Sequence, residues 1–148
     1  MKQITVKRLL ALLMLLVLPL TVARAQADLQ VAELFERYGH AKGCKMVVLN
    51  NTTLRGFHLN VYRSLVYKHL AAEASACLKA DRKRARKIRE VIEDGQVVSG
   101  YYLMPQLQKD VNRYVLFSNG KGESGAVIYI EGPLSPDDIM KLCYTKRK

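Results

Sequence analysis

Two stretches of this chain combine residue type and spacing in a way that suggests chemistry. The first is Gly120-Lys-Gly122-Glu-Ser-Gly125, which has the GxGxxG spacing of dinucleotide-binding loops. Phosphate binding needs such a loop to open a helix, so that the helix amides and dipole face the pyrophosphate. Here Ala126 to Ile130 is apolar and β-branched and reads as a strand, so the spacing predicts a hairpin turn.

The second is the cationic run Lys79, Arg82, Lys83, Arg84, Arg86, Lys87 and Arg89. On a helix, successive residues rotate by about 100°, which gathers Lys79, Arg82, Lys83, Arg86, Lys87 and Arg89 on one broad face opposite Ala85, Ile88 and Ile92, with the first five as the candidate contacts. Such a face suits an anionic partner: phosphate groups of a membrane surface or lipopolysaccharide, acidic glycans, or an acidic protein. Its bland alternative is a solvated helix face. No aromatic residue interrupts Leu70 to Ile92, so base stacking has no support, and nucleic acid is not an expected partner.

The remaining chemical residues are isolated. Cys44, Cys77 and Cys143 are widely spaced and form no CxxC, which points to buried thiols or a single bridge rather than a disulfide scaffold. His40, His58 and His69 lack HExxH or HxH spacing, no serine sits in GxSxG, and no cofactor or metal is expected. A cysteine-dependent enzyme would need one of the three thiols exposed, acidified and beside a histidine. Asn50-Asn51-Thr52-Thr53 holds two N-glycosylation acceptor patterns, relevant only in a host that glycosylates exported proteins.

Any such site must be positioned by elements that the patterning outlines. Arg113 to Gly132 places two apolar runs, Val115 to Phe117 and Val127 to Ile130, around a turn of Asn, Gly, Lys and Ser. The runs are apolar without a gap, so a hairpin covered on both faces, or central in a sheet, is predicted. Leu29, Ala32, Leu34, Phe35 and Tyr38 recur at helical spacing behind a cap at Asp28, predicting a helix over 29–39. Cys44 to Leu49 and Leu59 to Tyr67 read as strands, with Thr52 to His58 a loop or helical turn between them.

From Lys68 onward strong helix formers predict a long central helix, but Asp81 and Arg82 interrupt its apolar stripe. Glu93-Asp94-Gly95-Gln96 is a turn signal, so Ile88 to Ile92 can also be read as a strand paired with Val97 to Leu103. Tyr101 and Tyr102, adjacent in that strand, should point to opposite faces. Pro105 ends the run, and Gln106 to Asn112 reads as a polar connector. Ser135, Pro136, Asp137 and Asp138 form a helix start, predicting a helix over 136–143 with Ile139, Leu142 and Cys143 toward the sheet.

The first 25 residues carry Lys2, Lys7 and Arg8, an apolar run from Leu9 to Leu20, and Ala23-Arg24-Ala25. The run is too short to span a bilayer, and the pattern is that of a secretory signal peptide cleaved after Ala25. Export would place the protein in the periplasm or outside the cell, with no transmembrane helix left after cleavage. The full chain has 24 bases and 13 acids, net +11. The leader takes four bases and no acid, so the mature chain keeps a net +7 over 123 residues, enough for one domain, 26–148.

The leader, the helix with Phe35 and Tyr38 before Gly43 and a short apolar strand, and the late hairpin leading into GPLSPDDIMKL (132–142) together resemble the small exported domains of unknown function found in Bacteroidetes. The Ala-rich stretch from Ala71 to Ala85 and its basic continuation depart from that layout. The resemblance implies an envelope location and an α+β fold and carries no active site. The expected architecture is α+β: a mainly antiparallel sheet of five or six strands with the helices packed largely on one face. The expected function is a non-enzymatic exported module that binds an anionic envelope component or acidic protein. A structural subunit of an envelope assembly is the alternative.

Overall fold

The computed structural model describes residues 29–144; the predicted leader, Asp28 and the basic tail lie outside the described residues. In order come helix α1 (Gln30–Tyr38), strands β1 (Cys44–Leu54) and β2 (Phe57–Tyr67), helix α2 (Ala71–Arg82), strands β3 (Arg86–Glu93), β4 (Gln96–Gln108), β5 (Val111–Asn119) and β6 (Gly125–Gly132), and helix α3 (Pro136–Tyr144). The strands form one antiparallel sheet ordered β1-β2-β6-β5-β4-β3, so the chain is α+β, as expected. The two strands with gapless apolar runs, β5 and β6, are the central pair. Each needs cover on both faces, and each receives it.

Side-chain alternation along these strands separates two cores. Val115, Phe117, Val127, Tyr129, Leu65, Tyr67, Tyr102 and Met104 meet Leu34 and Phe35 of α1 and Ala74 and Leu78 of α2. Tyr114, Leu116, Ile130 and Leu59 meet Leu134 and Ile139 and Leu142 of α3. Since neighbouring residues of one strand belong to different clusters, the cores lie on opposite faces. Two helices thus share a face and the third covers the other, which a gapless apolar run cannot specify.

Three connections are two-residue hairpins that the backbone makes with positive φ. Leu54 pairs with Phe57 across Arg55 (φ 50) and Gly56 (φ 84), and Glu93 with Gln96 across Asp94 (φ 51) and Gly95 (φ 76). These are the conformations of type I′ turns, whose twist matches that of the paired strands. Thr52 to His58 is therefore strand and tight turn rather than loop or helix. Likewise β4 runs past Pro105 to Gln108 and turns at Lys109–Asp110 into β5, where a polar connector was expected. Pro105, unable to donate to the ladder, sits in an interruption of the register and accepts from Arg113 Nε at 2.8 Å through its carbonyl.

Helix starts are secured in three ways. At α3, Ser135 Oγ accepts from the Asp138 amide at 3.2 Å while Asp138 Oδ2 accepts from the Ser135 amide at 3.0 Å, a reciprocal box at the helix start that the sequence predicts. At α1 the N-cap position is Leu29, whose side chain cannot cap. Its Gln30 and Val31 amides donate to the two carboxylate oxygens of Asp81 on α2, at 2.8 and 2.9 Å. At α2, the Leu70 and Ala71 amides donate to the carbonyl of Glu123 in the β5–β6 turn, at 3.2 and 3.1 Å. The Tyr38 hydroxyl also donates to Glu73, joining α1 to α2.

Candidate functional site: a groove beside helix α2

Helix α2 has two working faces. Ala74, Leu78 and Asp81, spaced four and three apart, are buried toward α1 and the sheet. Beside them, Ala71, Ala72, Ser75, Ala76, Lys79 and Arg82 border a groove of about 670 Å3. Gly95 to Val98 at the start of β4 and the β5–β6 turn complete its walls. The small side chains of α2 leave the space open, and its volume is that of a small-ligand or head-group site.

The groove's polar floor is held by Asn119. Its Oδ1 accepts from the Tyr67 hydroxyl at 2.6 Å, and its Nδ2 donates to Ser75 Oγ at 2.9 Å. Burial pushes the Tyr67 phenol well above its usual range, so it stays a neutral donor. Gly125 permits this approach: a Cβ there would lie 2.5 Å from the Ser118 carbonyl and 2.6 Å from Asn119 Oδ1.

The five cationic candidates do not share one helix face. Helix α2 ends at Arg82, and Lys83 and Arg84 turn the chain into β3, where Arg86 opposes Leu103 and Lys87 opposes Tyr102. The β-branched residues Ile88, Val91 and Ile92 and the Asp94-Gly95 turn prevail over the helical propensity of Arg and Lys. Of the alternatives weighed for this stretch, the strand paired with β4 is the one formed. Lys79 and Arg82 line the groove, whereas Lys83, Arg86 and Lys87 lie exposed around the α2–β3 turn.

Arg82 is committed to a partner. Its Nε and Nη2 donate to Glu90 Oε2 and Oε1, both at 2.6 Å, and the Tyr102 hydroxyl donates to Oε2 at 2.7 Å. Lys87 Nζ stands 3.8 Å from the same carboxylate, whose side chain is only 8% exposed. The Arg82 hydrogen bonds hold the Glu90 carboxyl below its usual range. Burial and then Glu90 push the Tyr102 phenol well above its own. Among the described residues Lys79, Lys83 and Arg86 carry no ion pair, so the positive charge on the groove wall and at the α2–β3 turn is not cancelled locally.

The GxGxxG segment is the turn between β5 and β6, closed by the Gly120 amide donating to the Ser124 carbonyl at 2.9 Å. The N-terminus of α2, the nearest position for a phosphate, is occupied by the Glu123 carbonyl. The GxGxxG loop leads into a strand rather than the helix a nucleotide cradle requires. Cys44, Cys77 and Cys143 are free, partly buried thiols. Burial raises the pKa of Cys77, reinforced by the charges of Asp81, Glu33 and Glu73, and burial likewise raises that of Cys143. Neither thiol is acidified as a nucleophile would be.

Sequence reasoning missed the buried Arg113, on the sheet face that α1 and α2 cover, and the role of Asp81. Both are single polar residues inside otherwise readable patterns, and their partners lie on other elements. The unpartnered Nε of Arg63 borders a space of about 10 Å3 beside Val31, Phe35 and Tyr129, room for a water molecule at most. Among the described residues no His, Cys, Asp and Glu converge as a metal site, and no helix is long and apolar enough to cross a membrane.

The sequence model of a family of unknown function, DUF6108, matches residues 18–143, and the chain belongs to that family. No curated protein and no solved structure matches it.

Proposed function

We propose that this member of DUF6108 is an exported, non-enzymatic binding module that holds an anionic group of a cell-envelope component in the α2 groove. Residues 1–25 act as a signal peptide, cleavage near Ala25 releases a single domain, 26–148, and the protein works in the periplasm or outside the cell. The basic leader, the short apolar run and the small residues before Gln26 support export, as does the resemblance to exported Bacteroidetes domains.

The observation that carries the binding assignment is the contrast between Arg82 and its neighbours. Glu90, which adjoins the cationic stretch, is saturated by Arg82 and Tyr102, which leaves Lys79 on the groove wall, and Lys83 and Arg86 at the nearby α2–β3 turn, to face solvent. A phosphate or carboxylate group entering the groove meets Lys79 together with the Ser75 hydroxyl and the Gln96 amide as hydrogen-bonding groups, within the field of the cations at the α2–β3 turn. Lys87 adds to the field at the α2–β3 turn but is shared with Glu90. Binding by exposed charges weakens as salt rises.

The test measures affinity for lipopolysaccharide, an acidic glycan and an acidic peptide at several salt concentrations. Changing Lys83, Arg86 and Lys87 to Gln should weaken binding to the envelope glycolipid or glycan and flatten its salt dependence. Unchanged affinity for every probe would overturn the assignment, and selective binding of the acidic peptide would move it to a protein partner.

A further inference from the structure

The two edges of the sheet are built differently. Edge strand β3 is eight residues long and carries Arg86, Lys87, Arg89, Glu90 and Glu93, with register irregularities between Lys87 and Arg89 and between Val91 and Ile92. Charges and bulges of this kind prevent a further strand from docking. Edge strand β1 is eleven residues long and pairs with β2 without a break from Cys44 to Asn50, with Lys45 its single charge. Val47 and Val48, neighbours on opposite faces, are 40% and 43% exposed, and Val66, opposite Lys45 on β2, is 51% exposed. An edge of this length, apolar on both faces, offers alternate backbone N–H and C=O groups to another strand.

We propose that the occupant is a second copy of this chain, its β1 paired antiparallel with this one about a two-fold axis through Val47. Such an axis, normal to the sheet, keeps side chains on matching faces only when opposed residues are an even number apart in sequence. Centred on Val47, it sets Val47 against its own counterpart, Met46 against Val48, and Lys45 against Leu49 of the second copy. No like charges are opposed, and exposed Val48 meets the sulfur-bearing side chain of Met46 on the α1 face. The pairable stretch ends at Asn51, whose φ is 48. Beyond it the buried side changes: Cys44 and Met46 pack with the α1–α2 core, Leu54 with the α3 core.

Because the other edge is blocked, one such pairing closes the assembly at two copies instead of propagating a fibre. It leaves the α2–β3 turns and their cations at the far ends of a twelve-stranded sheet, away from each other and open to solvent.

Sedimentation velocity of the exported chain across a range of concentrations, combined with amide hydrogen exchange, tests this. The expected result is a reversible dimer whose formation slows exchange within residues 44–50 and leaves β3 unchanged. Val47→Lys, which opposes two lysines at the axis, should raise the dissociation constant at least about tenfold. Val48→Lys should weaken it as well, and both variants should keep the wild-type circular dichroism because the sites are exposed. Ile92→Lys on the other edge should leave the dimer intact. A monomer at every concentration overturns the proposal, as does a dimer that survives both valine substitutions or is protected at β3.

Discussion

The carboxylate of Asp81, 2% exposed, accepts from the backbone amide of Val31 at 2.9 Å, fifty residues away in sequence. Through this contact the last turn of α2 supplies the cap that the start of α1 lacks, and it fixes α1 over the sheet face that also bears the groove. Removing the acceptor leaves two amides at a buried helix end without a partner. Asp81→Ala should therefore cost about 1–3 kcal/mol, with Asp81→Asn intermediate because it keeps one oxygen. Denaturant melts give the total. Hydrogen exchange should show α1 opening first, and equal loosening throughout the sheet would argue against a local cap.

Glu90 makes stability depend on pH in a defined direction. Its folded-state pKa is lowered, chiefly by the Arg82 hydrogen bonds. The unfolded chain therefore binds the proton more readily, and the contribution is full above the ordinary carboxylate pKa and lost as pH falls through the folded value. Glu90→Gln should be less stable than wild type at neutral pH, and the gap should narrow on acidification below the ordinary value of 4.5. A gap of constant size from neutral to acid pH would contradict the ion-pair assignment.

Tyr102 reaches Glu90 by lying back over Gly100, the residue opposite Glu90 in the sheet. A Cβ at Gly100 would come within 2.5 Å of the Tyr102 ring. Gly100→Ala should displace the ring and cost about 1–3 kcal/mol, and the same change should cost much less when Tyr102 is already Ala. Equal costs in both backgrounds, measured as a double-mutant cycle, would dissociate the glycine from the tyrosine.

How much of this was legible in the sequence depended on whether a residue's partner was local. The β5–β6 hairpin was readable because gapless apolar strands have few ways to be covered, and α3 because Ser135 to Asp138 cap within one turn. The α2–β3 boundary was not settled: Lys, Arg and Ala favour helix through Arg89, while the interactions that end it, Asp81 with α1 and Arg82 with Glu90, are made across space. Lys79 and Arg82 were readable as candidates, but the groove they border was not. Its walls come from the turns at Gly95 and Gly120, which only the sheet order brings to α2.

The thiols offer a check on the non-enzymatic reading. With the Cys77 and Cys143 pKa values raised by burial, these two thiols should react slowly with a disulfide reagent in the folded protein at neutral pH, and denaturation should make both react fast. One thiol reacting far faster than a free cysteine in the native state would restore a nucleophile to consideration.

The most direct test of the binding assignment is a backbone NMR titration of residues 26–148 with a phosphorylated sugar oligomer at low salt. Amide shifts are predicted to concentrate at Ala72, Ser75, Lys79, Gln96 and Gly120 and at the α2–β3 turn, to fade as salt is added, and to be lost in Lys79→Gln combined with Lys83→Gln. Saturable shifts confined to the α3 face or to β1, or none at any salt concentration, would contradict an anion site in the groove.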